Sequence, residues 1–184
     1  MEHSKFTSPE LYEREESCYQ LLSSLSIPFE RCEHPAADTI EACAGAEQML
    51  GHEICKNLFL CNRNKTRYYL LLLPGKKVFK TKYLSAQIGS SRLSFASGED
   101  MLELLGLAPG SVSILGLKND LENRVTLLID EDILSDETIC CHPCVNTATL
   151  KLRTTDMLER FLPFVSHSYQ SVFLPAGTDD ETES

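Results

Sequence analysis

The chain reads as a mixed α/β domain, a central sheet with both parallel and antiparallel neighbours flanked by helices. Three observations predict this. Strand-like and helix-like stretches alternate, but irregularly. Two apolar runs, Glu53–Cys61 and Tyr68–Leu73, are joined by the turn-prone Asn62-Arg63-Asn64-Lys65, which makes a β-hairpin and favours a mixed sheet over a doubly wound parallel one. The second run, Tyr-Tyr-Leu-Leu-Leu-Leu, lacks alternation and therefore suits a strand buried on both faces.

Each element has its own local signal. Ser8-Pro9-Glu10 starts a helix, with Leu11, Cys18, Leu21, Leu22 and Leu25 at helical spacing until Pro28 stops it. Phe29–Glu33 is a strand, left through His34-Pro35. Asp38-Thr39 caps a helix from Ile40 to about Leu50, with Ala42, Cys43, Ala46 and Met49 packed and Gly51 closing it. After the hairpin and Pro74-Gly75 come a helix over Val78–Ile88 and a short strand over Arg92–Ala96. Ser97 caps a helix over Glu99–Leu105 that presents Met101, Leu102, Leu104 and Leu105 inward and is stopped by Gly106. Val125–Ile129, Thr138–Cys141 and Thr147–Leu152 are strands, and Thr154-Thr155-Asp156 caps a last helix through Phe161. No repeat or linker divides the 184 residues, so residues 1–175 are expected to be one domain and 176–184 an acidic disordered tail.

Composition narrows the function. No apolar run approaches the length of a membrane span and the polar N-terminus lacks a signal pattern, so a soluble, cytoplasmic protein without membrane partners is expected. The eight cysteines are then best read as reduced thiols. Cys140, Cys141, His142 and Cys144 crowd together, but the spacing lacks the two-residue ligand gaps of a zinc site, and neither metal nor cofactor is expected. Net charge is −10, which argues against indiscriminate nucleic-acid binding. Yet no Asp or Glu occurs between Ile54 and Gly98, where Lys56, Arg63, Lys65, Arg67, Lys76, Lys77, Lys80, Lys82 and Arg92 fall. Such a segment supplies either a basic face for phosphates or merely solvating side chains.

The residues with chemical promise are few. The serine-hydrolase elbow, the phosphate-binding loop and the His-Glu-x-x-His zinc motif are all absent. A thiol nucleophile among Cys55, Cys141 and Cys144 would need His142, but neighbours on one strand face opposite ways. Lys56 is set in an apolar strand, where an ammonium either meets an anion or acceptors or snorkels outward. His142, at a strand end before Pro143, could orient a polar substrate or simply bond a loop carbonyl, and Asn57, Asn146 and Thr147 could line the same pocket. Glycines at 110 and 116 allow close backbone approach.

Five segments occur in order: Cys-Lys-Asn-Leu-Phe-Leu (55–60), Leu-Leu-Leu-Leu-Pro-Gly (70–75), Pro-Gly-Ser-Val-Ser (109–113), Gly-Leu-Lys-Asn-Asp (116–120) and His-Pro-Cys-Val-Asn-Thr-Ala-Thr-Leu (142–150). Together they resemble the YbaK-like family, which includes the editing domain inserted in bacterial prolyl-tRNA synthetases, and within it the freestanding branch that deacylates alanyl-tRNA(Pro). The resemblance covers about Ser8 to Phe164 and implies a partly barrel-like sheet. It also implies hydrolysis of the ester joining a wrong amino acid to the end of tRNA(Pro), with prolyl-tRNA synthetase or an elongation factor as a protein partner. Lys56, Asn57 and His142 take the catalytic positions in this likeness. The loop with Gly110, Ser111, Val112 and Gly116 matches the one that lies near the aminoacyl end. Asn146 and Thr147 are substrate-binding candidates from the pocket reading, and Arg63, Lys65, Arg67, Lys76, Lys77, Lys80 and Lys82 are tRNA-contact candidates from the basic segment. Two departures put the amino acid in doubt among alanine, cysteine and serine. Ile114 stands where relatives often have proline, implying a looser loop, and Cys144 replaces a larger apolar residue, implying a wider pocket.

Overall fold

The computed structural model describes residues 8–36 and 43–176. Pro9, at the first helical position, opens α1 (Pro9–Ser24), which buries Cys18 and Leu22; β1 (Phe29–Glu33) follows. The second helix, α2 (Ala44–Leu50), ends on Gly51 in the left-handed conformation, while its expected cap and first residues, 38–42, lie outside the described residues. Its small residues bring it close to the sheet, with Cys43 and Ala46 packed among Cys32, Ile54 and Cys140. Met49, expected inside, is 75% exposed.

The hairpin forms as predicted from β2 (Lys56–Asn62) and β3 (Tyr68–Leu73), with Lys56 opposite Leu73. Next come α3 (Thr81–Ile88), β4 (Leu93–Phe95) and α4 (Gly98–Leu105). The start of α3 was expected at Val78. Residues 78–80 are instead non-helical, with Lys80 extended. Ser97 and Asp100 form the reciprocal cap of α4, but Leu102 faces outward.

A 3-10 helix (Ile114–Asn119) leads to β5 (Val125–Asp130), α5 (Glu131–Ser135), β6 (Thr138–Cys141) and β7 (Ala148–Arg153). The last helix runs from α6 (Thr154–Asp156) through a π-helical turn over Met157–Phe161 into α7 (Leu162–Phe164), and β8 (Tyr169–Val172) ends the fold. Nothing in the largely exposed Tyr169-Gln170-Ser171 announces β8; its strand form comes from parallel pairing with β5 at a sheet edge.

Two sheets result. Five strands in the order β4-β2-β3-β5-β8 combine antiparallel pairing around β2 with parallel pairing around β5, and β1-β7-β6 form an antiparallel three-stranded sheet. A parallel bridge between Ile54 and Cys140, with Cys55 N–H donating to Cys140 O at 3.1 Å, joins them, so the sheets curl toward one another without closing a barrel. The expected class, mixed α/β with helices flanking the strands, is what the chain adopts. Strand β3 is buried on both faces because it is central. Tyr68, Leu70 and Leu72 enter the main core with α1, α4 and Phe161, whereas Tyr69, Leu71 and Leu73 enter a second core with Leu84 of α3.

Candidate active site

The seam between the sheets fixes where the chemistry-bearing side chains go. Strand alternation puts Lys56 on the face of β2 shared with Leu58 and Leu60, and Asn57 on the opposite face with Cys55 and Phe59. The Ile54–Cys140 bridge lies two residues before Lys56 on one segment and two before His142 on the other.

Lys56 is half-buried, and its ammonium donates to the carbonyl of Lys77 at 2.8 Å. Burial lowers its pKa below the ordinary lysine value, with the charge of Glu53 opposing. Among the described residues no carboxylate lies within ion-pair distance, so two of its three N–H groups are left for an outside acceptor. The strand lysine is therefore neither snorkelled into open water nor neutralised.

His142 is held by Nδ1, which faces Ala148 O at 2.8 Å and so must carry the proton, leaving Nε2 as the acceptor. Burial pushes the ring below its ordinary pKa, which keeps it neutral at pH 7. Its ring centroid lies 6.0 Å from that of His34. His34 was not anticipated here, although His34-Pro35 repeats the His142-Pro143 dipeptide and was the available signal. It bonds Thr149 Oγ1 of β7 at 2.8 Å and, locally, Pro35 O at 2.9 Å.

Asn57 faces a different neighbour. Its Oδ1 accepts from Ile114 N–H at 2.9 Å, and its Nδ2 donates to Cys55 O at 3.3 Å. Ser113 completes the link, donating to His142 O at 2.6 Å and accepting from Leu115 N–H at 3.2 Å. The loop before the 3-10 helix is thus tied to β2 on one side and to the His142 backbone on the other. The tie explains Ile114: proline there would have no N–H for Asn57, so the loop expected to be looser is held by a bond that only a non-proline residue can make. Ser113 was also overlooked as a linking group, its signal being the Pro-Gly-Ser-Val-Ser segment itself.

The remaining expected residues divide. Ser111 is buried, Val112 packs against the main core, and Gly110 makes its turn at φ +85° with Ser111 N–H bonded to Ala108 O. The close approach at Gly116 is to Leu105 and Leu107, where a Cβ would come within 2.7 Å of Leu107 Cδ1, so this glycine serves packing of α4. Asn146 is half-buried, and Thr147 is buried with a hydroxyl that has no partner among the described residues. Cys144 sits as a free thiol in the main core with Cys18, and its expected effect on pocket width therefore has no support from its position. Cys140 belongs to the small cluster under α2, while Cys55, Cys141 and Cys144 enter the main core.

The basic residues do not form one continuous face. Arg63, Lys65 and Arg67 are exposed in the hairpin turn, while Lys76 and Lys80 follow β3 at the Lys56 end, six residues and roughly 20 Å along the strand. Lys82 lies over the Tyr83 ring at 5.0 Å. Lys77 is a correction: its side chain is 5% exposed and paired with Asp130 and Asp132, so it is an internal group and no surface contact for RNA.

Lys56 thus opens β2 bonded to the carbonyl of Lys77, and His142 follows β6 bonded to the carbonyl of Ala148. A family model for the aminoacyl-tRNA editing domain matches residues 34–160, and the chain belongs to that family, making it an aminoacyl-tRNA hydrolase. Among curated proteins it is 30% identical over 153 residues to the prolyl-tRNA editing protein ProX of Acetoanaerobium sticklandii, covering 83% of this chain and 93% of that one. It is also 31% identical to the prolyl-tRNA synthetase associated domain-containing protein 1 of Danio rerio, covering 81% of each chain. Among solved structures, one described as a candidate trans-editing enzyme for prolyl tRNA synthetase superposes with a TM-score of 0.67 at 22% identity, covering 93% of this chain and 99% of that one, which places the fold.

Proposed function

We propose that the chain is a trans-editing deacylase of mischarged tRNA(Pro), acting most readily on Ala-tRNA(Pro). The observation that carries this reading is Lys56, a cation in an apolar strand with no described carboxylate partner and one acceptor from the protein. An RNA end supplies what it lacks, a phosphate or ribose oxygen for a charge-assisted bond. Lys56 binds the terminal adenosine. Neutral His142 offers Nε2 as acceptor to a substrate hydroxyl or ammonium group, and the Thr147 hydroxyl is available nearby in sequence for the same purpose.

The chemistry is ester hydrolysis by water. Water oxygen adds to the ester carbonyl, the carbonyl–ribose oxygen bond breaks, one of the water's protons ends on the ribose oxygen, and the other passes to solvent as the amino acid leaves as its carboxylate. An aminoacyl ester is already activated, so positioning supplies much of the rate. Asn57 acts through the 110–116 loop, which it holds against β2. A pocket sized for alanine excludes the proline ring, a discrimination based on bulk. The substrate would arrive from prolyl-tRNA synthetase or an elongation factor. The acceptor stem would run past Lys76 and Lys80, with Arg63, Lys65 and Arg67 reaching phosphates further along.

The test follows ester loss from Ala-, Cys-, Ser- and Pro-tRNA(Pro) under single-turnover conditions. Ala-tRNA(Pro) is expected to be cleaved fastest and Pro-tRNA(Pro) to stay intact. Faster loss of the cysteinyl or seryl ester would move the specificity, and binding without cleavage of any ester would make the chain a non-catalytic module.

A further inference from the structure

We infer that Lys77, anchored on Asp130, is a positioning residue for Lys56: a buried ion pair aims the Lys77 carbonyl at the Lys56 ammonium. The inference rests on the hydrolase reading only for what Lys56 does to substrate. Lysine 56 takes one bond from the protein, at 2.8 Å, and the acceptor is a main-chain oxygen whose position is set elsewhere. The segment bearing that oxygen is pinned repeatedly. Gly75 lies so close to the carbonyl of Ile54 that a side chain there would collide with it. Lys76 N–H donates to Glu53 Oε1 at 2.6 Å, and Lys77 N–H donates to Pro74 O at 3.0 Å.

The side chain of Lys77 then runs inward. Its Nζ meets both oxygens of Asp130, at 2.9 and 3.1 Å, and Asp132 Oδ2 at 2.9 Å, beneath the ring of Phe173. Asp130 is fully buried at the end of β5 and also accepts from Asp132 N–H at 3.0 Å and Leu174 N–H at 3.1 Å. Burial alone would lower the Lys77 pKa, but its hydrogen bonds to the two aspartates outweigh this and raise it, so the anchor stays charged. Breaking such a pair on one side leaves an uncompensated buried charge, which makes the arrangement all-or-none. Two lysines thus divide the work: the buried one fixes a carbonyl, and that carbonyl fixes the half-buried one.

The experiment uses the full chain with Lys77→Met/Asp130→Leu, which removes both charges together, and Asp132→Asn, which touches only the exposed arm of the clamp. Trace acetylation by acetic anhydride is followed at Lys56 by peptide mass spectrometry from pH 7 to 10, beside kcat and KM for Ala-tRNA(Pro). In the folded double variant Lys56 labelling at pH 8 is expected to change at least threefold and kcat/KM to fall tenfold or more, since small misplacement of a positioned group is costly. Asp132→Asn, which keeps the buried pair and the fold, is expected to shift Lys56 labelling about twofold, a readout that stands if the double variant fails to fold. Labelling of Lys56 identical to wild type in a folded variant would overturn the inference. A wild-type chain that cleaves no ester would defeat the hydrolase reading instead, and the labelling comparison would still decide the clamp.

Discussion

Replacing Asn57 with alanine should loosen the loop over residues 110–116, and the cost can be worked from the bonds it makes. The amide accepts from Ile114 N–H at 2.9 Å, and Ile114 is fully buried, so water cannot easily take the vacated place. A buried donor left unsatisfied costs about 1–3 kcal/mol. The amide's other contacts, to Cys55 O at 3.3 Å and Cys55 Sγ at 3.5 Å, are longer and add less. The expected loss is about 2 kcal/mol, which for a chain of this size lowers Tm by roughly 4–8 °C. Urea and thermal unfolding measure it. A double-mutant cycle sharpens the reading. Ile114→Pro removes the donor itself, and proline is compatible with the extended Ser113 before it. In that background Asn57→Ala should cost less than about 0.5 kcal/mol, because the bond is already gone. Wild-type stability in the single Asn57→Ala variant, or an equal cost in both backgrounds, would refute the reasoning.

Other expectations follow from the same geometry. Because burial lowers the His142 pKa, the unfolded chain holds the extra proton between the folded value and the ordinary 6.5. Stability from this group is complete above that pH and falls as pH drops through the window, by up to about 1.4 kcal/mol per pH unit; His142→Gln should flatten this part of the urea-midpoint profile, and an unchanged slope would speak against it. Burial pushes Cys55 and Cys140 up to about 12 and Cys141 well above its usual value, so iodoacetamide at pH 7.5 should leave ester hydrolysis intact, whereas inactivation tracking alkylation would restore a thiol nucleophile. Lys76→Glu, at the Lys56 end, should weaken tRNA binding and reduce its salt dependence by about one counterion, as measured by filter binding across salt, and no change in slope would remove Lys76 from the interface.

The legible parts of this fold were those whose signal is local. An unbroken apolar run announced β3 as a strand buried on both sides, and Ser97 announced the start of α4. What escaped depends on partners far away in sequence. Strand β8 is mostly exposed and exists by pairing with β5, and Lys77 is drawn inward to Asp130 at the end of β5. At the site, Lys56 stood out as a cation in an apolar strand, but its neighbour Asn57 was grouped with it although alternation sends the two to opposite faces. Lys77 looked like its exposed neighbour Lys76. Only the burial of Asp130, which no local pattern marks, separates the two roles.

The central claim is that the Lys56 ammonium engages the aminoacyl-tRNA end while water cuts the ester. Single-turnover deacylation of Ala-tRNA(Pro) by Lys56→Ala tests it directly, with circular dichroism confirming the fold. The rate is expected to fall at least a hundredfold, about 2.7 kcal/mol of transition-state stabilisation. A folded Lys56→Ala variant that cleaves the ester at the wild-type rate would contradict the account.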